Sequence, residues 1–135
     1  MPPGFTRWPW WRRWFGRKAE RAAAVFLRTQ GYRLLAANVD DQWGELDLLA
    51  LDGPTLVVVE VRSSESRAVD ELAATVDFQK QRRITDATTR FLAKRKLLDM
   101  PVRFDVLAIR WPPGEKPEIR HYPDAFSAVG RNRMF

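Results

Sequence analysis

Glu45, Asp47 and Glu60 stand in a stretch, Gly44 to Arg62, that otherwise reads as two apolar strands joined at Asp52-Gly53. Side chains alternate between the faces of a strand, which predicts Glu45, Asp47, Leu49 and Leu51 on one face and Leu46, Leu48 and Ala50 on the other. On the following strand Leu56, Val58, Glu60 and Arg62 go together. Asp-Gly favours a two-residue type I′ turn, and centring the hairpin there pairs Leu51 with Pro54, Leu49 with Leu56, Asp47 with Val58 and Glu45 with Glu60. All the charged groups then point one way. Asp47 and Glu60 become diagonal neighbours about 7 to 8 Å apart, a span that a divalent cation with oxygen ligands at roughly 2 to 2.5 Å bridges. The chemistry this implies is that of a bound metal ion. The plainer alternative is a solvated Glu60 neutralised by Arg62, with Asp47 as an edge charge that discourages aggregation. Against it stands the β-branched-rich run Thr55 to Val61, typical of a strand buried on both faces, where an unpartnered carboxylate costs several kcal/mol.

The elements that must position these acids follow from periodicity. Arg17 to Gln30 is predicted helical, with Ala19, Ala22, Ala23, Phe26 and Leu27 on one stripe and Gly31 ending it. Glu20 borders that stripe, placed either to face the acidic edge of the sheet or to pair with Arg17 or Arg21 on the surface. Tyr32 to Asn38 reads as a first strand, with Asp40 to Trp43 as the loop to the second. The polar Ser63 to Arg67 reads as a flexible loop beside the acids. Asp77 is placed to cap a helix running to about Lys96, whose inner stripe is Ile84, Ala87, Thr88, Phe91 and Leu92. Helical steps backward bring Lys80 and Asp77 to the same side, within reach of the sheet's acidic face. Lys80, Arg82 and Arg83 crowd the first turns, where the helix dipole disfavours cations and a phosphate at the free N–H groups would relieve them; the alternative is a solvated basic turn paired with Asp86. Lys94-Arg95-Lys96 suits the helix C-terminus. Val102 to Arg110 alternates as a fourth strand, with Arg103 and Asp105 expected as a structural ion pair, and Glu118 to Tyr122 as a short fifth.

These residues also carry a resemblance. Glu20, Gly31-Tyr32, Gly44-Glu45-Leu46-Asp47-Leu48, Val59-Glu60-Val61-Arg62, Asp77-Phe78-Gln79-Lys80 through Arg83-Ile84, Arg103-Phe104-Asp105-Val106 and Ala125-Phe126 follow in an order that resembles the bacterial YraN-like family, over roughly Gly16 to Phe126. That family is uncharacterised and is similar to restriction-endonuclease-like nucleases and Holliday-junction resolvases. Those enzymes hold a metal between a strand Asp and the acid of an acid-x-Lys motif. The resemblance implies Asp47 and Glu60 as metal ligands for Mg²⁺ or Mn²⁺, Glu20 as a third acid, and Lys80, Arg83 and Gln79 as substrate contacts. One residue departs from the pattern: Arg62 stands where the family has Lys. Arginine stays charged in proteins, so Arg62 cannot act as a general base, although its planar fork suits bidentate phosphate contacts.

Length and composition set the bounds. A chain of 135 residues, 45% hydrophobic, makes one domain with a sizeable core. The expected organisation is a basic Trp/Arg-rich arm over residues 1–15, a nuclease-like domain over 16–126 and a tail over 127–135. The absence of cysteine excludes disulfides and zinc-thiolate sites and fits a cytoplasmic protein, and the single His121 makes no metal cluster alone. No run suits a membrane span or signal peptide. Of the net charge of +6, residues 1–18 carry five basic residues and no acid, while residues 19–124 hold 16 basic against 17 acidic, so the body is nearly neutral. The arm contains four of six tryptophans interleaved with Arg7, Arg12 and Arg13. That composition suits packing on the body or self-association, stacking on unpaired bases, or a membrane surface.

The sequence thus predicts an α/β domain with a mixed central sheet flanked by helices, restriction-endonuclease-like. Its expected partner is nucleic acid, with DNA foremost. The leading expectation is a metal-dependent nuclease in which Arg62 and Lys80 stabilise phosphate charge. The alternatives are a non-catalytic nucleic-acid-binding module in recombination or repair, and a membrane-peripheral or interaction module using the Trp-rich arm.

Overall fold

The computed structural model describes residues 18–129, so the arm over residues 1–15 and the end of the tail lie outside the described residues. Eight elements follow one another: α1 (Lys18–Thr29), β1 (Arg33–Asp41), β2 (Gly44–Asp52), β3 (Thr55–Ser64), α2 (Val69–Ala74), α3 (Phe78–Lys94), β4 (Val102–Arg110) and β5 (Glu118–Phe126). The strands form one sheet in the order β1-β2-β3-β4-β5. β3 and β4 run parallel and the other pairs antiparallel. Two hairpins explain the antiparallel neighbours, while the parallel pair needs the long crossover that α2 and α3 supply. The fold is α/β with a mixed sheet flanked by helices, consistent with a restriction-endonuclease-like arrangement.

α1 covers one face, where Ala23, Ala24 and Leu27 pack with Leu48, Ala50, Val57 and Val59. Its end is fixed by Gly31 at φ 90°: the Gly31 N–H donates to the Arg28 carbonyl and the Tyr32 N–H to the Leu27 carbonyl, the pairing of a Schellman cap. α3 covers the other face, its Ile84, Ala87, Phe91 and Leu92 packing on Leu49, Val58 and Val106. Asp77 caps α3 by accepting the Lys80 N–H at 2.9 Å. α2 lies on the α3 side, with Val69 and Leu72 against Ala108. The polar stretch after Arg62 is shorter than expected of a loop: β3 continues to Ser64, whose Oγ accepts the N–H groups of Ser66 and Arg67 and turns the chain into α2. The signal for α2 was the Val69/Leu72 spacing with Asp70 and Glu71 in the first turn.

The β2–β3 register differs from the expected one. Asp52 pairs with Thr55, Leu51 with Leu56 and Leu48 with Val59, so the turn residues are Gly53 and Pro54. Pro54 explains the shift. In the expected register it would sit in the ladder without an N–H to donate, whereas at the second turn position its fixed negative φ fits a type II′ turn. Gly53 at φ 58° supplies the positive angle which that turn needs first. The shift is of two residues, an even number, so it does not exchange the faces of the paired strands.

Candidate metal centre

The expected alternation along β2 breaks at Asp47. Leu46 packs in the α3-side core, yet Leu48 and Ala50 pack in the α1-side core. β1 breaks at the matching place: Ala37, opposite Leu48, belongs to the α1 side, and Val39, opposite Leu46, to the α3 side. Between them Asn38 adopts φ 52°, a left-handed conformation that asparagine tolerates better than most residues. The acids therefore do not all lie on one sheet face.

This break brings the acids together. The β2–β3 ladder ends at Leu48–Val59, and beyond it Asp47 Oδ2 accepts the Val61 N–H at 2.9 Å, in place of a backbone carbonyl. On the α1 side Glu20, Glu45 and Asp47 each present a carboxylate oxygen, all within 4.8 Å of one another. Glu20 is 2% exposed and faces the sheet's acidic edge. The Asn38 Nδ2 donates to Glu20 Oε2 at 2.8 Å, so the residue that turns the strand also holds this carboxylate.

Glu60 belongs to the α3 side. It is 5% exposed, and two cations approach Oε1: Lys80 Nζ at 3.5 Å and Arg62 Nη2 at 3.8 Å. Burial, and then the Asp47 charge, push its carboxyl up to about 7, with Lys80 and Arg62 pulling the other way. The Arg62 Nε is buried with no hydrogen-bond partner among the described residues. Asp47 thus joins two half-sites, acids on one side and an acid with two cations on the other.

The sequence model of the uncharacterised protein family UPF0102 matches residues 19–109, a span that contains every residue named in this centre. The chain belongs to that family. It is the YraN-like family which the ordered motifs resemble. A UPF0102 protein of Rhodopirellula baltica is 44% identical over 124 residues, covering 89% of this chain and 74% of the relative. Those of Geotalea uraniireducens and Anaeromyxobacter dehalogenans are each 40% identical, over 82% and 89% of this chain and 87% and 89% of their own lengths.

In this UPF0102 chain the structure brings Asp47, Glu60, Arg62, Lys80 and Glu20 into one neighbourhood, and adds Glu45 as the third member of the acid cluster and Asn38 as its support. Arg83 and Gln79 stand exposed on the first turns of α3, beside Lys80 in sequence. Phosphate binding at the free N–H groups of α3 needs one correction: Asp77 occupies the Lys80 N–H, so anion recognition there falls to side chains. Glu45 was visible in the sequence as a strand acid. Asn38 gave no signal, because a left-handed residue inside a strand depends on what its neighbours pack against.

A second buried polar group lies away from this centre. Asp105, fully buried, accepts from Arg103 Nε at 2.9 Å and Nη2 at 3.0 Å and from the Asp124 N–H at 2.9 Å, and its Oδ2 lies 2.7 Å from His121 Nε2. Burial alone would raise its carboxyl; the hydrogen bonds from His121, Arg103 and Asp124 outweigh it and hold the group below the usual carboxylate value. The expected Arg103–Asp105 pair is present, and Arg103 also bonds Asp52 and the Tyr32 hydroxyl. No helix among the described residues is long and apolar enough to cross a membrane.

Proposed function

We propose that this chain is a metal-dependent nuclease acting on nucleic-acid phosphodiesters. The observation that carries this reading is the convergence of the Glu20, Glu45 and Asp47 oxygens within 4.8 Å. The donor set fits a hard cation. Oxygens on opposite sides of Mg²⁺ or Mn²⁺ are separated by about 4.2 Å, twice the metal–oxygen distance, so a slight closing of side chains completes the cluster. Glu20, Glu45 and Asp47 would hold the ion, with Glu60 beside Asp47. Such an ion, when bound, polarises a phosphoryl oxygen and lowers the pKa of a coordinated water.

The chain's own residues do the rest. Asn38 fixes Glu20, and the Val61 N–H fixes Asp47, so two of the acids are oriented before any ligand arrives. Arg62, with its Nε unused, and Lys80 bring positive charge to the side of Glu60, where they stabilise the charge that develops on a phosphate under attack. A second reading, a non-catalytic nucleic-acid-binding module in recombination or repair, draws on Arg62, which keeps phosphate contact and cannot take a proton.

Single-turnover assays on linear, single-stranded and branched DNA with Mg²⁺ and Mn²⁺ separate the two. The nuclease reading expects cleavage in wild type that is abolished in Asp47→Ala, with nucleic-acid binding retained. Tight binding without cleavage on every substrate supports the module instead.

A further inference from the structure

Among the described residues, the aromatic side chains that stand in solvent are Trp43, 63% exposed, and Phe78, 66% exposed. They bracket the acids along α3. Phe78 opens the helix two residues before Lys80, whose ammonium reaches Glu60. Trp43 lies in the β1–β2 turn, two residues before Glu45, and that turn rests against the later part of α3. A Cβ built at Gly44 would stand 3.5 Å from Arg90 Nη2 and 3.9 Å from the Ala87 Cβ. The Arg90 guanidinium is 5.9 Å from the centroid of the indole. Between residues 78 and 90 an α-helix rises about 18 Å, so the two aromatic side chains mark the ends of a track and the acids face its middle.

Trp43 is exposed on a turn that is held in place. Asp41 Oδ1 accepts the N–H groups of Trp43 at 2.9 Å and Gly44 at 3.0 Å, and its Oδ2 binds Arg90 Nε at 2.6 Å. The indole is therefore presented to solvent by a fixed backbone. Each aromatic has cations beside it. Lys80, Arg82 and Arg83 follow Phe78 in the first turns of α3, with no acid in the first turn, and Arg90 and Lys94 line a shallow cleft of about 570 Å³ with Trp43. Asp40 and Asp41 also line that cleft, and Arg90 neutralises Asp41. A ring with a free face beside a cation is what an unpaired base and its phosphate require, whereas a paired base inside a duplex offers only its edges.

We propose that Trp43 and Phe78 are stacking platforms for unpaired bases on either side of the acidic cluster, so that the site takes a strand locally single-stranded over about five nucleotides, the number that fills 18 Å at 3.4 Å each. The path of the strand past the acids rests on the nuclease reading; the stacking itself needs no metal. Binding is therefore measured by fluorescence anisotropy on the full chain in EDTA, with a labelled twelve-nucleotide single strand and a duplex of the same sequence. Trp43→Ala and Phe78→Ala should each weaken the single strand about tenfold, the scale of one base–aromatic stack, leave the duplex unchanged and keep the salt slope. Trp43→Phe should regain most of the loss, which excludes misfolding as the cause. Equal losses on both nucleic acids, no loss on either, or loss of self-association in sedimentation with binding intact would each overturn the proposal. If the aromatic variants lose single-strand binding while Asp47→Ala leaves cleavage untouched, the nuclease reading falls and the stacking stands. The reverse pattern overturns the stacking alone.

Discussion

Lys80 and Arg62 bring two different cations to one carboxylate, and their chemistry divides their roles. Lys80 Nζ is 3.5 Å from Glu60 Oε1 and comes from α3, whereas Arg62 lies two residues along β3 from Glu60 and its Nη2 is 3.8 Å away. A lysine ammonium is a compact charge that can give up its proton when desolvated; a guanidinium cannot. The ammonium that the acid-x-Lys pattern would place at residue 62 is therefore supplied from the helix. Lys80→Met should lower single-turnover cleavage by about 10²-fold, the usual scale for one donor to developing charge, with affinity changed much less. Arg62→Lys should alter the rate by only a few-fold. A large gain in Arg62→Lys with no loss in Lys80→Met would return the limiting charge to position 62. Lys80 was legible because helical steps from the Ile84–Leu92 stripe carried it toward the sheet. Asn38 was not, since its two tasks, turning β1 and holding Glu20, exist only when β1, β2 and α1 are assembled.

At the scale of elements, Asp105 ties strands that the sequence could only place one by one. It sits on β4 where the β4–β5 register shifts, between Phe104 and Val106, and its oxygens gather Arg103, His121 of β5 and the Asp124 N–H. Through Arg103 the same group reaches Asp52 at the end of β2. Asp105→Asn should lower unfolding free energy by about 3 kcal/mol at neutral pH, because removing one partner of a buried ion pair strands the other. The pH dependence has a definite sign. The folded carboxyl is held below its unfolded value near 3.9, so this stabilisation is complete above that value and is lost as pH falls below it toward the folded one. Urea melts at pH 7, 4 and 2.5 should show wild type losing more on acidification than Asp105→Asn; parallel losses would remove Asp105 from the acid response. The Arg103–Asp105 pair was legible from strand alternation. His121 was not connected to it, because the β4–β5 pairing contains an irregularity that alternation does not predict. The hairpin before it shows how Pro54, by its missing donor, overrode the Asp-Gly signal and moved the register while leaving the faces in place.

For the whole molecule, charge and fold divide the chain differently. The α/β body was legible as a class because its strands and helices have clean periods, and its crossover follows from one parallel pair between antiparallel hairpins. The way α1 and α3 share the acids between two faces was not legible, because it depends on a break in alternation that both β1 and β2 make at matching positions. The body from residue 19 to 124 carries nearly balanced charge, so long-range attraction to nucleic acid falls to the ends of the chain, above all to Arg7, Arg12 and Arg13 with their four tryptophans. Counterion release makes this measurable. Each phosphate neutralised contributes about 0.7 to 0.9 to the slope of log affinity against log salt, so three arginines contribute about 2 to 3. Removing residues 1–15 should therefore flatten the salt dependence of single-strand binding by that amount, while the melting temperature of the remaining chain stays within about 2 °C and the losses caused by Trp43→Ala and Phe78→Ala persist in the shortened protein. An unchanged slope together with a lowered melting temperature would assign the arm to packing on the body, and an unchanged slope with loss of vesicle binding would assign it to a membrane surface.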